Sequence, residues 1–215
     1  MRSVYFEMQD VSTRLTQLGL DDSLLQESVR QAHLFRARIT PNHPRIYPGL
    51  VMWGEIVAAL RNVLRPRGWY RPEVGNYELT VNDDLNLAIA VASGDEATGT
   101  PYGNPSNRSP KGKNTVEAVE ANRQLDMFSD LLPELSQADD SDTNQQTWVL
   151  LHFTDAGKQE IRLELSRPSA IGDDGKISDW SERIILGSIP TGDDDVSVES
   201  PQGPDIDFDV RRKIG

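Results

Sequence analysis

An α+β fold is predicted, with two N-terminal helices followed by a mainly antiparallel sheet of about five strands, the sheet being interrupted by a disordered insertion. Three observations predict it. Apolar residues recur at helical spacing in two windows of the first third of the chain, and they alternate with period two in the windows that follow. Between those windows, Ser93 to Thr115 (SGDEATGTPYGNPSNRSPKGKNT) and Pro133 to Gln146 (PELSQADDSDTNQQ) are crowded with Gly, Pro, Ser, Asn and Asp. Such composition buries too little apolar surface to offset the entropy of ordering it.

The first element opens at Asp21 or Asp22, either of which is able to cap a helix. Its apolar side is Leu24, Leu25, Val29, Ala32 and Phe35, and it ends before Pro41. The turn-rich TPNHPRIYPG leads into a second helix with Pro48 in its first turn. There Trp53, Ile56, Val57, Leu60 and Val63 or Leu64 form the stripe. Pro66, Gly68 and Pro72 stop it. Tyr77, Leu79 and Val81 then alternate, Asn82-Asp83-Asp84 supplies a turn, and Leu85 to Val91 gives the second strand of a hairpin. Trp148 to Phe153, the run through Ile161, Leu163 and Leu165, and Ile184 to Ile189 complete five strands. The organisation is one α+β domain made of residues 1–92 and 147–190, a flexible insertion over 93–146, and an acidic tail over 191–215. In the tail only Ile206, Phe208 and Val210 alternate as an edge strand would.

Composition narrows the function classes. No stretch of about eighteen apolar residues exists and the start, MRSVYFEMQD, carries charges, so a cytoplasmic chain without a membrane segment is expected. The absence of cysteine excludes disulfides and thiolate metal ligation. The formal charge of −12 is uneven: residues 1–75 carry ten Arg and no Lys against seven carboxylates, leaving the acidic excess to the remainder. Arg61, Arg65, Arg67 and Arg71, with Trp69 and Tyr70 among them, form a candidate nucleic-acid surface of guanidinium forks beside aromatic rings. The same cations would equally serve the last carbonyls of the preceding helix.

The pentapeptide Gln124-Leu125-Asp126-Met127-Phe128 lies inside the insertion. QLDMF resembles the short linear motif with which bacterial replication and repair proteins dock on the DNA polymerase sliding clamp. The resemblance covers these five residues alone. It implies that Gln124 fills a small polar pocket, that Met127 and Phe128 plug an adjacent apolar cleft, and that Leu125 and Asp126 complete the contact. A different reading of the same residues is an amphipathic helix, since Val116, Val119, Leu125, Phe128 and Leu132 fall near one stripe.

A catalytic reading finds less. His33, His43 and His152 lie on three different elements without metal-ligand spacing, no glycine-rich phosphate loop opens a helix, and no Gly-x-Ser-x-Gly elbow occurs. Asp83, Asp84, Asp95, Glu96, Glu160 and Glu164 could be gathered by a sheet around Mg²⁺ for phosphodiester cleavage. Where such nucleases place Lys, however, this chain has Arg162, which stays protonated. Acidic clusters at Asp139, Asp140 and Asp142, at Asp173 and Asp174, and at Asp193 to Asp195 raise a third reading, a mimic of DNA phosphates that inhibits a nucleic-acid-binding protein. The expectation is a non-catalytic binding module without cofactor or metal. Its partner is the bacterial sliding clamp, and nucleic acid is met through the clamp or the arginine cluster. It would recruit its domain to replicating DNA or compete with the polymerase, as an inhibitor from a phage or mobile element would.

Overall fold

The computed structural model describes residues 2–73, 77–131 and 145–192, with the backbone alone given for 128–131. The α+β class holds. Among the described residues the sheet is mixed and six-stranded, and four α-helices pack on it. The elements are β1 (Ser3–Tyr5), α1 (Met8–Gln17), α2 (Asp22–Arg36), α3 (Tyr47–Leu64), β2 (Leu79–Asn82), β3 (Leu87–Ser93), α4 (Lys113–Leu131), β4 (Gln146–Asp155), β5 (Glu160–Ile171) and β6 (Ile177–Pro190). Strand order is β1-β6-β5-β4-β3-β2. The β2/β3, β4/β5 and β5/β6 pairs are antiparallel, as the hairpin patterns predict, whereas β1/β6 and β3/β4 are parallel. Parallel neighbours cannot be joined by a tight turn, so 94–145 is the crossover between β3 and β4.

Local chemistry explains the helices. Asp21 caps α2 by accepting the Leu24 amide at 2.9 Å. Pro48 sits in the first turn of α3, where its missing N–H costs nothing. Buried Leu25, Val29 and Ala32 of α2 meet Met52, Ile56, Leu60 and Leu64 of α3, and Val11 and Leu15 of α1 join them. All three helices cover the sheet face formed by Leu87, Ile89 and Val91 of β3, Trp148 and Leu150 of β4, Leu163 and Leu165 of β5, and Ile184 and Leu186 of β6. The alternation of β3 puts Ala88, Ala90 and Ala92 on the other face, where a second apolar cluster forms from Ala92, Val149, Leu151, Ile177 and Trp180.

That second face is where the structure departs most from the sequence reading. Residues 94–112, expected to be disordered, lie against it. Their fixing point is an ion pair with both side chains fully buried, Glu164 on β5 and Arg183 on β6. Glu164 Oε1 accepts from Arg183 Nε at 3.0 Å and from Ser166 Oγ at 2.7 Å, and its Oε2 accepts the Gly99 amide at 2.8 Å. Arg183 also donates to the carbonyls of Gly103 at 2.7 Å and Thr100 at 3.1 Å. Further along, the Trp180 indole donates to Pro105 O at 2.8 Å, and buried Asn107 takes the Ile177 amide at 2.7 Å and donates to Gly175 O at 3.0 Å. Gly99 has φ +69°, and a Cβ there would stand 2.8 Å from that of Arg162, so only glycine lets the backbone come this close. The segment folds because its polar groups bond to the sheet; the composition rule, which counts apolar area, does not register this.

Because a buried ion left without its partner is costly, Arg183→Met should lose about 3–5 kcal/mol of stability in urea unfolding. The double change Arg183→Met with Glu164→Gln should lose clearly less than the two single losses combined. Additive losses would mean that the pair does not act as a unit.

Candidate functional site

Residues 124–128 fall in the last turns of α4, so the helical reading of this segment describes its backbone. The helix is held at Val119, 1% exposed, and at Asn122, which is fully buried. The Asn122 side chain donates to Thr147 O at 2.8 Å and Pro168 O at 3.1 Å, and its Oδ1 accepts the Thr147 amide at 2.9 Å. Asn122 thus clips α4 to the start of β4 as a ladder residue would. Beyond it the grip loosens. Gln124 is exposed, Met127 is 56% exposed, Leu125 is half-buried, and Asp126 forms an ion pair with Arg167 of β5. Helical spacing places Gln124, Met127 and the Cα of Phe128 along one side of α4. The side chain of Phe128, like Leu132 and the acidic run at Asp139, Asp140 and Asp142, lies outside the described residues.

The arginine cluster is brought together, and carboxylates are brought with it. Arg61 Nη2 donates to Glu78 at 2.7 Å and to Leu79 O at 2.9 Å, Arg71 reaches the other oxygen of Glu78 at 3.1 Å, and Arg67 reaches Asp21 at 2.9 Å. Arg65 is exposed. Trp69, read as an aromatic platform, is 2% exposed and belongs to the main core, while the Tyr70 hydroxyl donates to Asp83 at 3.0 Å. Arg61 and Arg67 therefore serve as ties between α3, its following turn and the adjoining chain.

The carboxylates considered for metal binding do not converge. Asp83 and Asp84 sit in the turn before β3 and Asp95 and Glu96 after it, so a seven-residue strand of roughly 23 Å separates the two pairs. Asp95 holds its own loop, accepting the amides of Ala97 and Ser106 at 3.0 Å each. Glu164 is saturated by Arg183, Ser166 and Gly99. Glu160 lies near Arg162, whose guanidinium also faces Asp155 at 3.4 Å and stacks over Phe153. Among the described residues no three His, Asp or Glu side chains are placed to hold one ion. Asp173 and Asp174 are exposed in the β5–β6 turn, where Asp174 accepts the Lys176 amide at 3.0 Å; Asp193 to Asp195 lie outside the described residues.

The histidines differ sharply. His43 is an exposed loop residue whose ring stacks on Tyr47 at 5.1 Å. His152 is buried on β4 beside Ser93, with 3.4 Å between Nε2 and the hydroxyl. Burial, aided by the charges of Arg36 and Lys111, pushes its pKa down from 6.5 to about 4. His152 is thus a neutral interior residue at neutral pH, and among the described residues its ring is seen to meet the Ser93 hydroxyl rather than a carboxylate. Residues that the sequence reading passed over, Asn107, Asn122 and Arg183, prove to organise this region. Their one sequence signal is polarity within or beside apolar stretches.

No helix of the described residues is long and apolar enough to cross a membrane. No family model matches the chain, and neither a curated protein nor a solved structure is found to be similar to it.

His152 gives a pH dependence whose sign follows from linkage. Below its ordinary value the unfolded chain takes up a proton that the folded chain refuses until about 4, so stability falls as pH drops through that window. Each pH unit is worth about 1.4 kcal/mol, which makes the full loss roughly 3 kcal/mol. Urea titrations at pH 7 and near pH 4 should show His152→Gln losing less over this interval than the native chain by about that amount. Equal losses would show that His152 is not the group responsible.

Proposed function

We propose that the chain is a protein-binding module that docks on the bacterial sliding clamp through Gln124 to Phe128. The observation that supports this reading is that, past the fully buried Asn122 of α4, Gln124 and Met127 face solvent. A peptide that fills a polar pocket with its Gln amide and an apolar cleft with its terminal side chains needs both to be reachable. Here the first lies on the surface and Met127 follows it within one turn. We infer that the peptide docks in an extended form, which requires the helix to unwind from Arg123 onward. Among the described side chains the opposing interactions include the Arg123–Glu120 pair, the half-buried Leu125 and the Asp126–Arg167 pair, whose side chains are 32% and 13% exposed. An ion pair of that kind is worth on the order of 1 kcal/mol. The enzymatic alternative is less favoured, because the carboxylates it needs hold loops and arginines in place. Whether docking recruits the folded part to DNA or displaces a polymerase is read out by whether the protein slows primer extension.

Titration calorimetry of the full chain against the clamp should give a dissociation constant in the micromolar range, about −8 kcal/mol. Gln124→Ala with Phe128→Ala should abolish the heat of binding. Arg167→Gln should tighten binding roughly fivefold, because the binding-competent, unwound end becomes more populated. Binding undiminished in the double variant would refute the docking site, and binding unchanged in Arg167→Gln would refute the unwinding step.

A further inference from the structure

The α2–α3 hairpin carries a surface that nothing among the described residues covers. Leu34 and Phe35 at the end of α2 and Ile46, Tyr47, Leu50 and Trp53 at the start of α3 are all substantially exposed, from 37% for Trp53 to 59% for Leu34. Ile46, Leu50 and Trp53 follow one another at helical spacing and so form a stripe on α3, and Leu34 and Phe35 are adjacent on α2, where the Arg38 guanidinium lies over the Phe35 ring. Large aliphatic and aromatic side chains gathered in this way mark an interaction surface. The turn that joins the helices is well built: His43 Nδ1 bonds the Thr40 amide at 3.0 Å while its ring stacks on Tyr47. The surface is also one-signed. Between residues 28 and 54 the chain has four Arg and two His and no Asp or Glu.

We propose that this surface docks the C-terminal segment Asp205-Ile206-Asp207-Phe208-Asp209-Val210 of the same chain. The segment has the complementary chemistry: three apolar residues alternating with three aspartates. Across 193–210 there are seven carboxylates and no cation. Set extended on the hairpin, Ile206, Phe208 and Val210 lie against Leu34, Phe35, Leu50 and Trp53, and the aspartates lie within reach of the long side chains of Arg38 and Arg45 at the rim. Reach is ample. The described chain ends at Gly192 just after β6, and at Gly187 that strand passes α2 so closely that a Cβ there would stand 2.8 Å from Gln26 Nε2. The thirteen residues from Gly192 to Asp205 span up to roughly 43 Å when extended, against roughly 22 Å for the whole of α2. The contact is intramolecular, so its ends are already at high effective concentration and modest affinity suffices. This proposal does not depend on the clamp reading.

A photo-crosslinking phenylalanine analogue at Phe208 of the full chain tests it, with a mixture of isotopically light and heavy protein irradiated and the joined peptides mapped by mass. The expected result is cross-links to residues 34–53 within one chain, lost in Arg38→Glu with Arg45→Glu and restored when Asp205→Arg and Asp207→Arg are added. Acrylamide quenching gives a second reading that leaves the core intact. Trp69, Trp148 and Trp180 are each at most 2% exposed, so a rise in quenching on Asp205→Asn, Asp207→Asn and Phe208→Ala together reports Trp53. Cross-links to β1 or β2, which would place the segment on a sheet edge, overturn the proposal. So do cross-links between light and heavy chains, which indicate exchange with a second copy, and so does quenching that the tail variants leave unchanged.

Discussion

Two charges with no access to water set the terms for half of this fold. Glu164 and Arg183 occupy neighbouring strands on the sheet face turned away from the three-helix core, and neither side chain retains exposed surface. Charges so placed are tolerable only when every donor and acceptor is met. The carboxylate is met by the arginine, by Ser166 and by one backbone amide, and the guanidinium by the carboxylate and two backbone carbonyls. Those backbone groups all belong to residues 99–103, and that segment in turn keeps water from the pair. Each half satisfies polar groups of the other, which ties the pair and the segment into one element. Farther along the segment, Pro105 O takes the indole N–H of Trp180, a member of the second apolar cluster with Ala92, Val149 and Leu151.

The position of α4 follows from the same arrangement. The chain leaves the end of β3, is tied across the second face as far as Asn107 and Lys176, and only then begins a helix that must return it to the start of β4 beside β3. Asn122 completes the return by bonding both backbone groups of Thr147, the second residue of β4. Past Asn122 the described part of the QLDMF sequence is held by the Asp126–Arg167 pair, while Gln124 and Met127 are exposed.

The elements legible in the sequence are those whose core is apolar and local. The α2 cap at Asp21, Pro48 at the head of α3, and the alternations of β2 through β6 each depend on residues within a few positions of one another. What escaped was α1, a short helix with two buried positions and no side-chain cap, and otherwise what is long-range and polar. β1 has three residues and its partner is 179 positions later, so no local pattern announces it. Segment 94–112 depends on Arg183 and Trp180, some eighty positions downstream. Glu164 and Ser166 alternate with leucines and so read as the wet face of an antiparallel sheet, although that face is covered. For residues 124–128 the sequence left a docking peptide on mobile arms and an amphipathic helix both open; the backbone is helical, with Gln124 and Met127 exposed. The arginine cluster was legible in place, but not in its carboxylate partners at Glu78 and Asp21.

Part of the uneven charge of the chain is met inside the fold, where Arg14, Arg61 and Arg71 pair with Glu182 and Glu78. Arg2 reaches Asn104 and the Gly103 carbonyl in the covering segment, and Arg14 of α1 pairs with Glu182 of β6, so cations from the first elements hold the later strands and loop. Arg14 also lies over Trp148, giving the tie an apolar side. Where such partners are close, an arginine acts as a structural link and the net charge says little about function. The hairpin of α2 and α3 is different in kind, because from residue 28 to residue 54 its sequence holds no carboxylate at all. One of its cations, Arg38, lies over the ring of half-exposed Phe35, so charge and apolar surface meet there. On this hairpin the basic excess of the first third of the sequence is carried by elements that also expose large apolar side chains.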